Sequence, residues 1–310
     1  MQLKKVLPLI GILIFIYVIY KVGIDKIINV LPDIKWTYII LSILLSFIIV
    51  TLQAWKWDLI LIQQGINLDF FYILKVHLIS LFYGNITPGR IGTFSKIFYL
   101  KTKTNRDLGG CISSVTLERF LDLFTVGLFA LIGSGIALHY FKGIFLEFLL
   151  LFLILVVILI ISLNKKSREF FIWNVFRFLV PKKYKDRARQ SFLAFEDTLL
   201  EPRQIIIPII VTIITWIGIY AQMYLIGLAL NLDIPFFKFI FISSIATIVT
   251  LIPITVGGIG TSEIAITVLF NKIFQTEPAV ALALAIINRI VGLIITIIGG
   301  LLSMREEKYF

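Results

Sequence analysis

Cysteine is nearly absent: Cys111 stands alone in 310 residues. An internal disulfide and a cysteine-built metal cluster are both excluded. Histidine is almost as scarce, and His77 and His139 are well separated, which argues against a histidine-rich metal site. There is no Gly-x4-Gly-Lys-Ser/Thr loop and no His-Glu-x-x-His pair, so neither an ATP site nor a zinc-protease site is expected. No polar region is large enough for a separate nucleotide-sugar or aminoacyl-tRNA catalytic unit. The sequence calls for no cofactor and no metal, and it points away from an enzyme.

What fills the chain instead is apolar. Hydrophobic residues make up 59% of it, the mean hydropathy is +1.00, and several runs are long enough to span a bilayer. The expected fold class is an all-α polytopic membrane protein. The formal charge of +11 is concentrated in Asn164–Arg203 and in short loops. Contact with anionic lipid headgroups explains that distribution better than nucleic acid does.

Six full spans are expected: Val6–Val22, Trp36–Ile62, Cys111–Tyr140, Ile144–Leu163, Ile205–Leu230 and Pro278–Leu302. Lys4 and Lys5 before Val6–Tyr20 mimic a signal peptide. No small-residue cleavage site follows, however, and Lys21 and Asp25 close the run, so it reads as a span. Trp55, Trp57 and Trp173 read as interface aromatics. The basic segment 164–203 mixes Lys165, Lys166, Arg168 and Arg177 with Phe170, Phe171 and Trp173, a pattern suited to helices lying on a membrane surface.

Two short strings interrupt the apolar runs. Residues Ile86–Thr93 read I-T-P-G-R-I-G-T and Ile254–Thr261 read I-T-V-G-G-I-G-T. In both places Asn-Leu-Asp comes first, then Phe-Phe, then the Gly-rich string, then a helix with an internal arginine. Arg119 lies 27 residues after Gly92, and Arg289 lies 29 after Gly260. This order predicts a duplication, with one repeat over 36–140 and a second over 204–303. Each arm flanking the first Gly-rich tip has about a dozen residues. At ~1.5 Å per residue an arm covers roughly 18 Å, short of the ~30 Å hydrocarbon core. Two re-entrant helical hairpins are therefore expected.

Positive charge then orients the chain. A cytoplasmic 164–203 segment places Lys101, Lys103, Arg106, Arg305 and both termini on the cytoplasmic side of a cell membrane. Lys21, Lys26, Lys35, Lys142 and Lys272 fall outside as a minority. The hairpins then enter from opposite faces as inverted repeats, the transporter arrangement in which broken helices frame a polar site.

The candidate binding residues follow. Arg90 sits in the first tip beside Gly89 and Gly92, as an anion-binding cation or as an interface residue. Arg119 and Arg289 lie inside spans, where a lone arginine costs ~2.5–3.5 kcal/mol and needs a partner or a polar cavity. Glu118, Asp122 and Glu263 are the carboxylates available to pair either arginine, Arg119 with Asp122 or Glu263 for example, or to release it to an anionic headgroup. Glu263, three residues after the second tip (Gly258, Gly260), also suits the dipole of the helix it opens. Asn288 is a hydrogen-bonding companion to Arg289, Lys96 reads as a snorkelling lysine, and His77 as a helix-packing residue.

Thr87-Pro88-Gly89-Arg90-Ile91-Gly92, Glu118-Arg119 with Asp122, Pro253-x4-Gly258-Ile259-Gly260-x2-Glu263 and Asn288-Arg289 form an ordered set over most of the chain. In this it resembles the lysylphosphatidylglycerol synthase transmembrane (flippase-like) family, also called UPF0104. The resemblance implies a flippase-like membrane domain without a catalytic aminoacyl-transfer domain, associated with moving lipids between leaflets. Related archaeal proteins are linked to polyprenyl-phosphate sugar pathways. One departure is Thr93, where that family often has glutamate after the first tip, so the first hairpin lacks a counterpart of Glu263.

The expected function is a flippase- or scramblase-like transporter of an anionic phospholipid or polyprenyl-phosphate lipid. Its partners would be membrane lipids, with a separate lipid-modifying enzyme or a homo-oligomer as further possibilities. The alternatives are an accessory or structural subunit of a lipid or glycolipid synthase, and a polyprenyl-phosphate glycosyltransferase. The glycosyltransferase needs an acidic surface cluster, for which only Glu196, Asp197 and Glu201 are on offer.

Overall fold

The computed structural model describes residues 3–140, 143–163, 201–252 and 255–306. These form eleven α-helices and no strand. They are α1 (Leu3–Val22), α2 (Ile24–Ile28), α3 (Trp36–Gln63), α4 (Phe70–Asn85), α5 (Lys96–Thr104), α6 (Leu108–Ile136), α7 (Ile144–Leu163), α8 (Pro202–Ala229), α9 (Phe236–Leu251), α10 (Thr261–Phe274) and α11 (Pro278–Glu306). Most of the basic segment 164–203 lies outside the described residues, as do Lys142, Pro253 and Ile254.

Among the described residues, three helices are long and apolar enough to cross a membrane, over Trp36–Gln63, Arg203–Ala229 and Pro278–Arg305. Their outward faces show why. Ile40, Leu44 and Ile48 on α3, Ile206, Ile210 and Ile214 on α8, and Leu293, Ile297 and Leu301 on α11 are exposed at helical spacing. Such stripes suit hydrocarbon. The inward faces carry small and hydroxylated residues instead. Ser42, Ser46, Thr212 and Thr215 are buried, and each hydroxyl is satisfied by a carbonyl one turn back in its own helix. Small residues on packed membrane helices let the backbones approach. Gly133 of α6 abuts the Phe241 carbonyl of α9, and Gly299 of α11 abuts the Leu78 carbonyl of α4. A Cβ at either glycine would overlap that backbone.

The two halves match in length element by element. Helices α3 and α8 have 28 residues each, α4 and α9 have 16, and α6 and α11 have 29. The first return arm is a 3-10 turn, Ile91–Ser95, followed by α5, and the second is the single helix α10. Asn105 and Gln275 close the two arms in the same left-handed conformation. The packing respects the correspondence too: α3 lies against α8, α4 against α11, and α6 against α9. Exchanging the halves maps these contacts onto themselves. Helices α1 and α7 break the pattern, since α1 touches α10 while α7 packs on α6.

Two details depart from the sequence reading. The span expected over Cys111–Tyr140 is the helix Leu108–Ile136, ending in turns at 137–140. The Asn-Leu-Asp strings are also out of structural register. Asp69 caps α4, its carboxylate accepting the Tyr72 N–H at 3.1 Å, whereas Pro235 and not Asp233 precedes α9. A side-chain cap and a proline start a helix by different means, so one string serves two purposes.

Candidate functional site

Each Gly-rich string folds as a tight tip between two helices. In the first, the Thr87 hydroxyl donates to the Tyr83 carbonyl at 2.8 Å and accepts the Gly92 N–H at 2.7 Å. Gly92 lies so close to the Tyr83 carbonyl that no side chain fits there. Gly89 and Arg90 are left-handed, with φ of 60° and 57°. In the second tip the same two places belong to Gly257 (58°) and Gly258 (69°). Arg90 thus occupies a backbone conformation that costs a side-chain-bearing residue roughly 1–2 kcal/mol. The tips meet: Pro88 and Val256, third in their respective strings, form an isolated antiparallel bridge.

Beside the tips lies a cavity of about 400 Å³, walled by residues of α3, α4, α6, α8, α9, α10 and α11. Its charged lining is Lys56, Arg90, Glu118, Arg119, Asp122 and Arg289. Gln53, His77, Asn85, Thr93, Trp216, Gln222, Ser262 and Asn288 add hydrogen-bonding groups.

The charges are paired unequally. Lys96, fully buried, holds both Glu118 oxygens at 2.9 and 2.7 Å, and its ammonium stands 4.4 Å from the centre of the Trp57 ring. Lys56 bonds Asp122 at 2.6 Å and approaches Glu118 at 4.0 Å. Asp122 also accepts the Trp216 indole N–H at 3.0 Å. Arg289 is held most completely. Its Nε meets Glu263 at 2.5 Å, one terminal nitrogen donates to Gly257 O, and the other to Gly258 O and the Ser262 hydroxyl. Glu263 in turn accepts the Gly260 N–H at 2.7 Å, tying the opening turn of α10 to the same arginine.

Two cations are left over. Among the described residues Arg119 has one ion-pair contact, 3.5 Å to Asp122, and its Nε is buried without a partner. The Arg90 guanidinium has no hydrogen bond or ion pair among the described residues, although Arg90 lines the cavity and keeps accessible surface. The five cations Lys56, Lys96, Arg90, Arg119 and Arg289 face the three carboxylates Glu118, Asp122 and Glu263. The lining therefore carries excess positive charge.

Arg90, Glu118, Arg119, Asp122, Asn288 and Arg289 all reach the cavity wall. Asn288 accepts a hydrogen bond from Gln222 at 3.3 Å. Glu263 lies behind the wall, fully buried, and pairs with Arg289 rather than Arg119. Gly89, Gly92, Gly258 and Gly260 shape the tip backbones without lining the space. Lys96 does not snorkel, because the Glu118 carboxylate and the Trp57 face hold it inside. Trp57 is likewise a core residue, 1% exposed, whereas Trp55 is exposed. The sequence reading passed over Lys56, Gln53 and Trp216. A lysine set in an apolar run was the available signal for Lys56.

Membrane-length apolar helices packed around an internal cationic cavity define an integral membrane protein. Its family follows from sequence comparison: the chain belongs to the family described as "Lysylphosphatidylglycerol synthase TM region", matched over residues 6–300. It is 26% identical to a UPF0104 membrane protein of Pyrococcus horikoshii, with 98% of each chain covered. It is 24% identical to one of Methanocaldococcus jannaschii, covering 97% of this chain and 94% of the relative. A third, from Methanothermobacter thermautotrophicus, is 23% identical over 93% of this chain and 90% of the relative.

Proposed function

We propose that this protein moves an anionic lipid, a phospholipid or a polyprenyl phosphate, between the leaflets of a membrane. The observation that carries the reading is Arg90. Among the described residues it is an unpaired cation in a left-handed backbone position, on the wall of a cavity inside a membrane protein. Strained backbone and unpartnered intramembrane charge both concentrate at functional sites. A headgroup would enter the cavity while its tails stayed in hydrocarbon, and Arg90, Arg119 and the polar lining would replace the water it leaves.

In this reading the α4–α5 and α9–α10 pairs are re-entrant hairpins from opposite faces, and the halves are inverted repeats. The matched helix lengths, the exchange-symmetric packing and the bridge between equivalent tip residues support that arrangement. The positive-inside pattern supports cytoplasmic termini.

The test is leaflet exchange in vesicles containing the purified chain, across a panel of fluorescent anionic and zwitterionic lipids. The wild type is expected to accelerate exchange of an anionic lipid. Arg90→Ala is expected to remove that acceleration while melting at or above the wild-type temperature. Folded wild-type protein that moves neither phospholipid nor polyprenyl phosphate would sink the proposal.

A further inference from the structure

The cavity's ion pairs leave its cations unequally compensated. Three cation–carboxylate pairs are closed within the protein: Lys96 with Glu118, Lys56 with Asp122, and Arg289 with Glu263. Arg119 reaches only Asp122, at 3.5 Å, and that carboxylate is already engaged by Lys56 at 2.6 Å and by Trp216. Arg90 has no hydrogen bond or ion pair among the described residues. Two guanidiniums are left for one ligand. Guanidinium is the group whose planar fork matches phosphate oxygens, and the Arg119 Nε is a buried donor still unused.

We infer that the cavity selects a dianionic phosphate monoester over a monoanionic phosphodiester. A monoester carries close to two negative charges above its second pKa of about 6, together with three terminal oxygens. Its two charges match the excess of two cations over carboxylates at the site, whereas a diester leaves one of that excess uncompensated. This deepens the transport reading by naming the headgroup chemistry, and it rests on that reading only for the ligand being a lipid. The Gly258 position explains why the preference has one seat: the equivalent residue in the second half carries no side chain, so the cation is supplied once.

The test measures binding to the full chain in detergent at pH 8. The probes are dihexanoyl phosphatidic acid, dihexanoyl phosphatidylglycerol and glycerol 3-phosphate. Phosphatidic acid is expected to bind at least about tenfold more tightly than phosphatidylglycerol, the ratio that one additional satisfied charge of about 1.4 kcal/mol produces. Arg90→Gln is expected to bring the two within about twofold, mainly by weakening phosphatidic acid. Arg119→Gln is the second variant, with the same expectation, should Arg90→Gln not fold. Equal wild-type affinities, or a preference unchanged in both folded variants, would overturn the inference. Glycerol 3-phosphate binding as tightly as phosphatidic acid supports the monoester chemistry and assigns it to a soluble ester, against lipid transport. A monoester preference without leaflet exchange likewise upholds this inference and defeats the transport reading.

Discussion

Arg119 and Arg289 sit at matching places in two 29-residue helices, twelfth from the first residue of each. Their surroundings differ. Arg289 is consumed by protein: a carboxylate, a hydroxyl and two tip carbonyls hold it. Arg119 has one distant carboxylate and a free buried donor. The tips differ in the complementary sense. The second presents Gly258, whose carbonyl is tied down by Arg289, where the first presents Arg90, whose guanidinium is not tied down. One half has turned its polar groups into a fixed wall, and the other keeps its cations available to the cavity. A similar backbone thus carries a fully held arginine on one side and loosely held arginines on the other.

Removing the second arginine is expected to have the largest effect. Arg289→Ala leaves Glu263 as an uncompensated buried charge, which costs about 3–5 kcal/mol. It should appear as a large fall in melting temperature in detergent, whereas Arg119→Ala should lower stability by less than about 1 kcal/mol. Equal losses would erase the distinction between the halves. Glu118→Leu comes next. It strands Lys96 in the core and should cost about 3 kcal/mol, most of it regained in the double variant with Lys96→Met, because an apolar pair of similar volume replaces the ion pair. Trp57→Leu should cost about 2 kcal/mol through the lost cation–π contact together with the packing the smaller side chain gives up, read by the same melting measurement, and should leave binding of anionic lipid intact. The smallest effect runs the other way. Arg90→Gly should raise stability by about 1 kcal/mol by relieving the left-handed strain, while abolishing lipid exchange.

Much of the helical layout was legible from hydropathy. The bounds of α7 coincide with the expected span, and those of α3, α8 and α11 lie within a few residues of theirs at each end. Apolar runs this long have few alternatives in a membrane. The cavity was legible in part, because an arginine within an apolar helix demands a partner whatever the fold. What stayed hidden was which helix faces which. Lys56, between Trp55 and Trp57, has the local signature of an interface, and only the packing of α3 near α6 turns it toward Asp122. The partner of Glu263 was left open between two arginines for the same reason. Arg119 and Arg289 are equivalent in sequence, and only the placement of α10 against α11 selects between them. Periodicity describes one helix at a time, whereas ion pairs belong to the space between helices.

The bridge between Pro88 and Val256 fastens one Gly-rich tip to the other. Among the described residues it is the one place where backbone from each half pairs in strand fashion, and it lies outside every helix. Proline has no N–H to contribute, so the joint is closed with fewer bonds than an ordinary strand pair. Parting it would leave every helical hydrogen bond intact. The halves themselves are joined by broad helix packing, α3 on α8, α4 on α11 and α6 on α9, so the bridge latches the tips alone, two residues from Arg90.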